Sequence, residues 1–476
     1  MTGKLTIAGN GRKPHIVLIV ARGEAVRNFL YSETLATLKE RARVTLLSVI
    51  DDEPFVQRFR DSATWIMPLP EYPERRFVRS FRFLAHEAHL RWLWTEPVKN
   101  TWALRDSQAV GLRARAERLA WKGLTLVLAR RPIVAVLTEV ERRLTWALRP
   151  NDDFIELWRT LKPDLVFNTS HIHGTAAELP VRTAERMGIA TAAFVFSWDN
   201  PTSRSWIFPR YDYFLVWNSR MRQQLIEMYR TSPERILVTG TPQFDFHFKD
   251  QFLPTRAELA ERIGIDASRP YVLYTTSIAR HFPDEHKHVE LVARLLHESG
   301  LRPKPQLVVR MYVKGTSAEM RALAARKLPG VHFAPMLWEE RWHMPLQDDL
   351  SLYSGLLRHA QMGINVGSTV SLELLMHDKP VINIAFMPDG KVGPEHSRFV
   401  RYVRYEHYRP VIESGAVMLA RSEGDLRELL VRGCMSPEEG RDARQRLIGQ
   451  MFGATLDGNS GARVAESLLA VTERRR

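Results

Sequence analysis

The chain has 476 residues, 45% of them apolar, which suffices for two or three domains with sizeable cores and excludes a disordered chain. Its formal charge is +14, and residues 75–150 carry 16 Lys+Arg against 6 Asp+Glu, so much of the excess is local. No apolar run approaches the roughly 18 residues of a spanning helix, the N-terminus lacks a cleavage-site pattern, and the single cysteine, Cys434, excludes an internal disulfide or a cysteine zinc site; together these predict a reducing, cytoplasmic setting.

The run "PHIVLIV" (14–20) has the continuous β-branched character of a strand buried on both faces. "RGEAVRNFLYSETLATLKE" follows at helical spacing, and "ARVTLLSVI" reads as a second strand. This opening predicts a parallel, doubly wound sheet. Residues 75–150 interrupt the alternation with Trp92, Trp94, Trp102, Trp121 and Trp146 among arginines, and predict inserted helices. Strands resume at "PDLVFNTS" (163–170), "TAAFVFSW" (191–198), "YDYFLVWN" (211–218) and "ILVTGTP" (236–242). After a linker, a second alternating unit runs from "YVLYTTS" (271–277) through "PQLVVRMY" (305–312), "VHFAP" (331–335) and "MGINVG" (362–367) to "KPVINIAF" (379–386). The predicted class is α/β, with two Rossmann-like doubly wound parallel-sheet domains. They span 1–245, carrying the basic helical insertion 75–150, and 246–450, with a helix in 451–476 returning to the first domain.

In open α/β sheets, ligands gather beyond the carboxyl ends of the strands. "VGSTVSLELL" places Gly367, Ser368 and Thr369 at such an end, just before a helix whose unpaired N–H groups and hydroxyls suit a diphosphate. Glu373, one turn on, has the chemistry to accept hydrogen bonds from vicinal hydroxyls; equally, Ser368 or Thr369 is only an N-cap and Glu373 a solvated carboxylate. Arg310 and Lys314 follow another strand and are candidates to neutralise phosphate, or are solvated surface cations. Thr276 and Ser277 end a third strand, as phosphate contacts or an ST-turn.

"ILVTGTPQFD", "YVLYTTS" and "GINVGSTVSLELLMHDKPVI" resemble the GT-B glycosyltransferase superfamily. The nearer likeness is to surface-carbohydrate biosynthesis proteins, CDP-glycerol glycerophosphotransferases and non-hydrolysing UDP-sugar 2-epimerases. The resemblance covers roughly 160–390 well and 14–50 weakly, and leaves 75–150 unexplained. It implies donor phosphates on Ser368 and Thr369, a ribose on Glu373, and a nucleotide sugar as co-substrate with no other cofactor and no bound metal. One departure is "RMYVKG", which keeps Arg310 where many relatives carry an Arg-x-His-Pro pattern.

The first half is expected to hold the acceptor and a base. "ARGEAVRN" puts Arg22, Glu24 and Arg27 at a strand exit, with Glu24 a candidate base or a favourable first-turn acid. "NTSHIHG" offers His171 and His173, as base, phosphate ligand or plain loop residues. "FSWDNPTSRS" offers Trp198 to stack on a sugar, with Asp199 and Asn200 for its hydroxyls, or a simple turn. "RFVRYVRYEHYRP" adds His407 and Arg409 as donor-site candidates. The basic insertion reads either as a patch seated on an anionic membrane through its tryptophans or as a solvated helical subdomain. No nucleic-acid motif is present. The expected function is transfer of a sugar from a nucleotide sugar to a glycan or lipid-linked acceptor, at the inner face of the plasma membrane or free in the cytoplasm. The alternatives are 2-epimerisation, glycerophosphate transfer, or a non-enzymatic membrane- or polyanion-binding scaffold.

Overall fold

The computed structural model describes residues 12–60, 64–149, 151–172, 175–204, 209–389 and 397–474. The first unit contains β1 (His15–Val20), β2 (Arg43–Ser48), β3 (Thr64–Pro68), β4 (Leu165–Asn168), β5 (Ala190–Phe194), β6 (Tyr213–Val216) and β7 (Ile236–Val238). They form one parallel sheet in the order β3-β2-β1-β4-β5-β6-β7. All six residues of β1 are buried, as its β-branched run requires of a central strand covered on both faces.

The second unit contains β8 (Tyr271–Thr275), β9 (Gln306–Arg310), β10 (Val331–Phe333), β11 (Trp338–Glu339), β12 (Met344–Pro345), β13 (Met362–Asn365), β14 (Val381–Ile384) and β15 (Met418–Ala420). Six of these make a second parallel sheet, β10-β9-β8-β13-β14-β15, while β11 and β12 form a separate antiparallel hairpin. The chain is therefore α/β with two Rossmann-like sheets. β3, β15 and the hairpin lie outside the strands read from the sequence.

The stretch after β1 is not one helix. It makes a π-type turn over Val26–Leu30, closed by the Tyr31 N–H donating to the Val26 carbonyl at 2.9 Å. A fresh start follows at Ser32, which caps the helix Glu33–Arg41. The turn between the two units has its own anchor. Asp245 accepts the N–H groups of Ser460 and Gly461 at 3.0 and 2.7 Å, pinning the first turn of the last helix, Ser460–Arg474. That helix lies against Glu33–Arg41, where the Thr34 hydroxyl donates to the Gly461 carbonyl at 2.9 Å.

The insertion is four helices, Arg76–Leu93, Glu96–Gln108, Leu112–Leu128 and Arg131–Leu148. It is fastened to the first unit by buried ion pairs. Arg182 of the helix Glu178–Arg186 is 1% exposed and binds Glu141 at 2.7 Å and Glu178 at 2.8 Å. Arg82 bonds Glu141 at 2.8 Å and also reaches Glu74 and Glu178. The tryptophans are not laid out on the surface. Arginines stack on them instead, Arg91 over Trp94 at 3.6 Å, Arg118 over Trp102 at 4.3 Å, Arg131 over Trp92 at 4.5 Å and Arg142 over Trp146 at 4.6 Å. Of the two readings of the insertion, the one that seats the tryptophans on a membrane is not what their packing favours; the large exposed apolar side chains of the insertion are leucines, valines and two phenylalanines.

The second helix of the insertion also touches the second unit. The Glu96 N–H donates to the Glu406 carboxylate at 2.9 Å, Arg401 bonds Glu96 at 3.0 Å, and the Tyr405 hydroxyl donates to Asn100 at 2.9 Å. The insertion is thus a strut between the two sheets.

Removing one member of a buried charge network leaves its partners unpaired in low dielectric. Glu141→Ala is expected to cost about 3 kcal/mol, read as a lower urea midpoint of the first unfolding transition. An unchanged midpoint would contradict the fastening role of this network.

Candidate functional site

The carboxyl ends of the two sheets face each other, as direct contacts between their exit loops show. At one end, the Gly23 N–H donates to the Trp342 carbonyl at 3.1 Å and the Trp342 indole donates to Asp52 at 2.7 Å. A Cβ on Gly23 would lie 2.4 Å from that carbonyl oxygen, so only glycine permits the approach. Glu24 sits in the same seam, bonded to Arg22 at 2.9 Å and to Lys314. Burial and the neighbouring Arg22 push the Lys314 ammonium down to about 7, and Glu24 is the countercharge beside it.

At the other end lies the turn Gly367-Ser368-Thr369. Gly367 has φ +86°, and a Cβ there would meet the Tyr402 ring at 2.6 Å. Ser368 caps the helix Thr369–Met376 by accepting the Val370 N–H at 3.2 Å. Beneath the turn, the Asn365 side-chain oxygen accepts from the Gly367 N–H at 2.8 Å, the Asn383 amide at 2.9 Å and the Ser371 hydroxyl at 3.1 Å. The Tyr408 hydroxyl completes the network on Asn383 at 2.7 Å. This network, in which only the Asn365 amide nitrogen has no partner among the described residues, fixes the backbone of the turn above it. From the first unit, the Trp198 indole N–H crosses to the Thr369 hydroxyl at 3.0 Å. One turn on, Thr202 meets His407 Nδ1 at 3.0 Å.

Between these contacts lies a wall of cations that sequence reasoning missed. Arg280 and His281 follow β8, Arg398 opens the short helix Arg398–Arg401, and Arg204 leaves the Trp198 loop of the first unit. Phe282 and Phe399 meet edge-to-face at 5.1 Å and hold the first two segments together. The four groups lie within each other's field. Burial, with Arg398, Arg280 and Arg204, lowers His281 to about 4; burial, Arg204 and Arg280 likewise lower Arg398. Among the described residues, no carboxylate forms an ion pair with Arg204, Arg280 or Arg398. Arg204 and Arg280 are exposed and Arg398 is half-buried, with Asp199 in the field of Arg204, so among the described residues the group keeps a net positive charge that suits an anion.

The other predicted residues fall into three groups. Arg310 and Lys314 are at the expected strand exit but are spent on protein partners. Arg310 is held by both Asp349 oxygens at 2.7 and 2.8 Å, and Asp349 also accepts from the Trp338 indole at 2.8 Å, so this pair anchors the hairpin. Thr276 accepts the Tyr312 N–H at 2.9 Å. The Ser277 N–H goes to Glu285 at 2.9 Å. Burial pushes Glu285 up to about 8, so it is a neutral acid behind that serine.

Glu373 is 6% exposed, and its oxygens meet the Tyr353 hydroxyl at 2.8 Å and His247 Nε2 at 3.3 Å, so it is not a solvated helix carboxylate. Arg27 reaches toward it across the seam and donates to Gln243 at 2.8 Å. Asn200 braces its own turn by accepting the Ser197 N–H at 2.9 Å. Asp199 lies next to Trp198 in the cleft. Burial would raise its pKa, but His407, Ser197 and Arg204 outweigh this and hold it below the usual carboxylate value. Arg409 pairs with Glu413 at 3.5 Å on the exposed side. His173 lies outside the described residues. His171 is buried and pushed down to about 4. Among the described residues no cluster of three or more His, Cys, Asp or Glu side chains is placed to hold a metal ion.

Two parallel Rossmann-like sheets opposed across a cleft, with the anion turn on the second, define the GT-B fold. The family model of CDP-glycerol:poly(glycerophosphate) glycerophosphotransferase matches residues 171–277, a stretch that includes Trp198, Asp199, Arg204 and Ser277. Among solved structures, UDP-GlcNAc 2-epimerase from Neisseria meningitidis bound to UDP-GlcNAc is 10% identical, with 96% of this chain and 100% of that chain covered and a TM-score of 0.51. The UDP complex of MnaA from S. aureus is 11% identical over 95% and 94%, with a TM-score of 0.51. At these identities the likeness shows the fold. No curated protein matches the chain by sequence.

Burial depresses His407 to about 4 from the 6.5 of an exposed imidazole, although Asp199 nearby raises it. The unfolded chain therefore binds a proton below 6.5 that the folded chain refuses until about 4. The contribution is fully present above 6.5 and is lost as pH falls, by about 1.4 kcal/mol per unit. Urea titrations between pH 6.5 and 4 are expected to show falling stability, with a shallower slope in His407→Gln. Equal slopes would contradict the buried, neutral state of His407.

Proposed function

We propose that the chain is a GT-B transferase that moves the terminal group of a nucleoside-diphosphate donor onto a hydroxyl of a glycan or lipid-linked acceptor in surface-polymer synthesis. The observation that carries this reading is the group of Arg204, Arg280 and Arg398, which among the described residues form no ion pair, in the cleft that also presents the helix start at Ser368 and Thr369. Such a wall stabilises the charge that grows on a departing phosphate, and it needs no metal to do so. Ser277 contributes a hydroxyl to the same group, and Glu373, presented by Tyr353 and His247, receives the ribose.

Of the three candidate bases, Asp199 fits best. It adjoins the residue that bonds the donor turn, whereas Glu24 is occupied by two cations. Asp199 orients the acceptor hydroxyl and accepts its proton. Trp198, above Thr369, gives the donor's terminal group an apolar face. Closure of the two sheets excludes water, which would otherwise hydrolyse the donor.

Two bond choices fit this arrangement. In sugar transfer the anomeric carbon–oxygen bond breaks and a nucleoside diphosphate leaves. In glycerophosphate transfer the bond to the distal phosphorus breaks and a nucleoside monophosphate leaves. The family-model match over 171–277 favours the second as the alternative reading. Epimerisation of a nucleotide sugar, the activity named for the structural neighbours, needs no acceptor and is separated on that ground.

A thermal-shift screen of UDP-, GDP- and CDP-linked donors is expected to find one that raises Tm, because a ligand bound to the folded state stabilises it. Arg280→Ala and Ser368→Ala are each expected to weaken that donor at least tenfold in calorimetry. Asp199→Asn is expected to keep donor affinity and lose on the order of 100-fold in kcat. The nucleotide released with a hydroxyl acceptor decides between the two transfers. No stabilising donor in the panel, or a scaffold whose only ligand is a polyanion, would contradict the reading.

The enzyme is also proposed to act on a membrane surface. Among the described residues, no helix is long and apolar enough to cross a membrane. The helix Leu112–Leu128 has a single buried residue, Thr125, and exposes Leu112 at 88%, Leu119 at 67% and Leu126 at 60% among Arg113, Arg115 and Lys122. Apolar side chains flanked by cations suit an anionic leaflet. The protein is expected to pellet with phosphatidylglycerol vesicles, and Leu119→Glu with Leu126→Glu to stay in the supernatant. Equal pelleting by both would contradict this placement.

A further inference from the structure

A cavity of 420 Å³ lies outside the cleft, between the insertion and the outer edge of the first sheet. This is within the roughly 300–1,000 Å³ of small-molecule sites. Its walls come from the first and fourth helices of the insertion, from the start of β6 and the residues leading into it, and from the C-terminal turn of the helix Ser219–Tyr229. None of these residues takes part in the proposed donor site.

Its chemistry is divided. The floor is apolar, with Trp92, Val134, Phe214 and Met228. The rim carries four arginines, Arg131, Arg210, Arg230 and Arg235. Arg131 is stacked on Trp92 at 4.5 Å and donates to the Glu227 carbonyl at 2.9 Å, which fixes it at the mouth. Arg210 has Glu139 at 3.7 Å, but that carboxylate is already bonded by Arg142 and Arg143. Among the described residues, Arg230 and Arg235 form no ion pair. The rim therefore carries net positive charge over an apolar interior.

A second observation points to a ligand. His89 lines the cavity, is 5% exposed, and its Nε2 has no hydrogen-bond partner among the described residues. A buried ring nitrogen without a partner costs roughly 1–3 kcal/mol. The ring is held between Trp92 at 5.7 Å and Tyr229 at 5.1 Å. Tyr229 in turn bonds the carbonyls of Pro201 and Arg204 at 2.9 and 2.8 Å, so the cavity backs directly onto the loop that carries Asp199 into the cleft.

We propose that this cavity is a second ligand site, for a phosphate head group carried on a single long apolar chain. The arginine rim takes the phosphate in charge-assisted hydrogen bonds, the aromatic and aliphatic floor takes the first part of the chain, and His89 Nε2 bonds a head-group oxygen. An inorganic phosphate leaves the floor empty, and a long-chain alcohol leaves the rim uncompensated, so neither fills the site.

The test is calorimetry on the full chain with dodecyl phosphate below its micelle concentration, beside inorganic phosphate, dodecanol and phosphatidylglycerol vesicles. One-to-one binding of dodecyl phosphate at least tenfold tighter than either fragment is expected. Ala135→Trp, at an exposed mouth residue, and the pair Arg230→Ala with Arg235→Ala are each expected to weaken it at least tenfold. Both variants are expected to keep the parent's donor-induced rise in Tm, which separates this site from the cleft. Wild-type affinity in Ala135→Trp, inorganic phosphate binding as tightly as dodecyl phosphate, or binding to two-chain vesicles alone would overturn the proposal.

Discussion

Positive charge left without a counterion is the constraint on which the rest of this structure depends. Folding brings many cations to the seam between the two sheets, and almost all of them are answered. Arg22 and Lys314 share Glu24, and Arg310 is gripped by Asp349. Leaving a charge such as Arg310, which is buried, without a partner is costly, and there the chain supplies an acid. At Arg204, Arg280 and Arg398 it supplies none among the described residues, and it adds a helix start at Ser368 and a serine hydroxyl at Ser277. A diphosphate is the charge such a group is proposed to receive.

The remaining architecture keeps that wall in place. Gly23 lets the first strand exit press against Trp342, and the Asn365–Asn383–Tyr408 network holds the Gly367 turn. The insertion adds a third tie. It is bolted to the first sheet through Arg182 and Glu141 and touches the second through Glu96 and Asn100. Its helices therefore set the distance between the sheets as well as presenting an apolar face outward. The tie between the sheets and the outward apolar face thus belong to one subdomain.

Much of the fold was legible in the sequence because parallel strands buried on both faces leave continuous apolar, β-branched runs, and β1 does so. The Gly367-Ser368-Thr369 turn was legible for a similar reason, since a strand, a glycine and a capping hydroxyl are local signals. What was not legible is partnership at a distance. Arg310 and Lys314 read as free cations at a strand exit, but Asp349 is 39 residues from the first and Glu24 lies in the other unit. Arg280 sat three residues beyond the run taken as the strand end, and Arg398 was one arginine among several in a dense stretch; only the packing of Phe282 on Phe399 brings them together. The tryptophans of the insertion misled for the same reason, because spacing shows a stripe and not the arginines that cover it. The split of the first helix at Ser32 had a readable signal, a serine before Glu33 and Thr34, which helical periodicity alone overrode.

The most direct test is a crystal structure of the protein with the nucleotide that stabilises it most. The account predicts its diphosphate between the start of the helix Thr369–Met376 and the guanidiniums of Arg204, Arg280 and Arg398, with the ribose at Glu373. A diphosphate bound elsewhere, with those three arginines contacting only protein carboxylates, would contradict it.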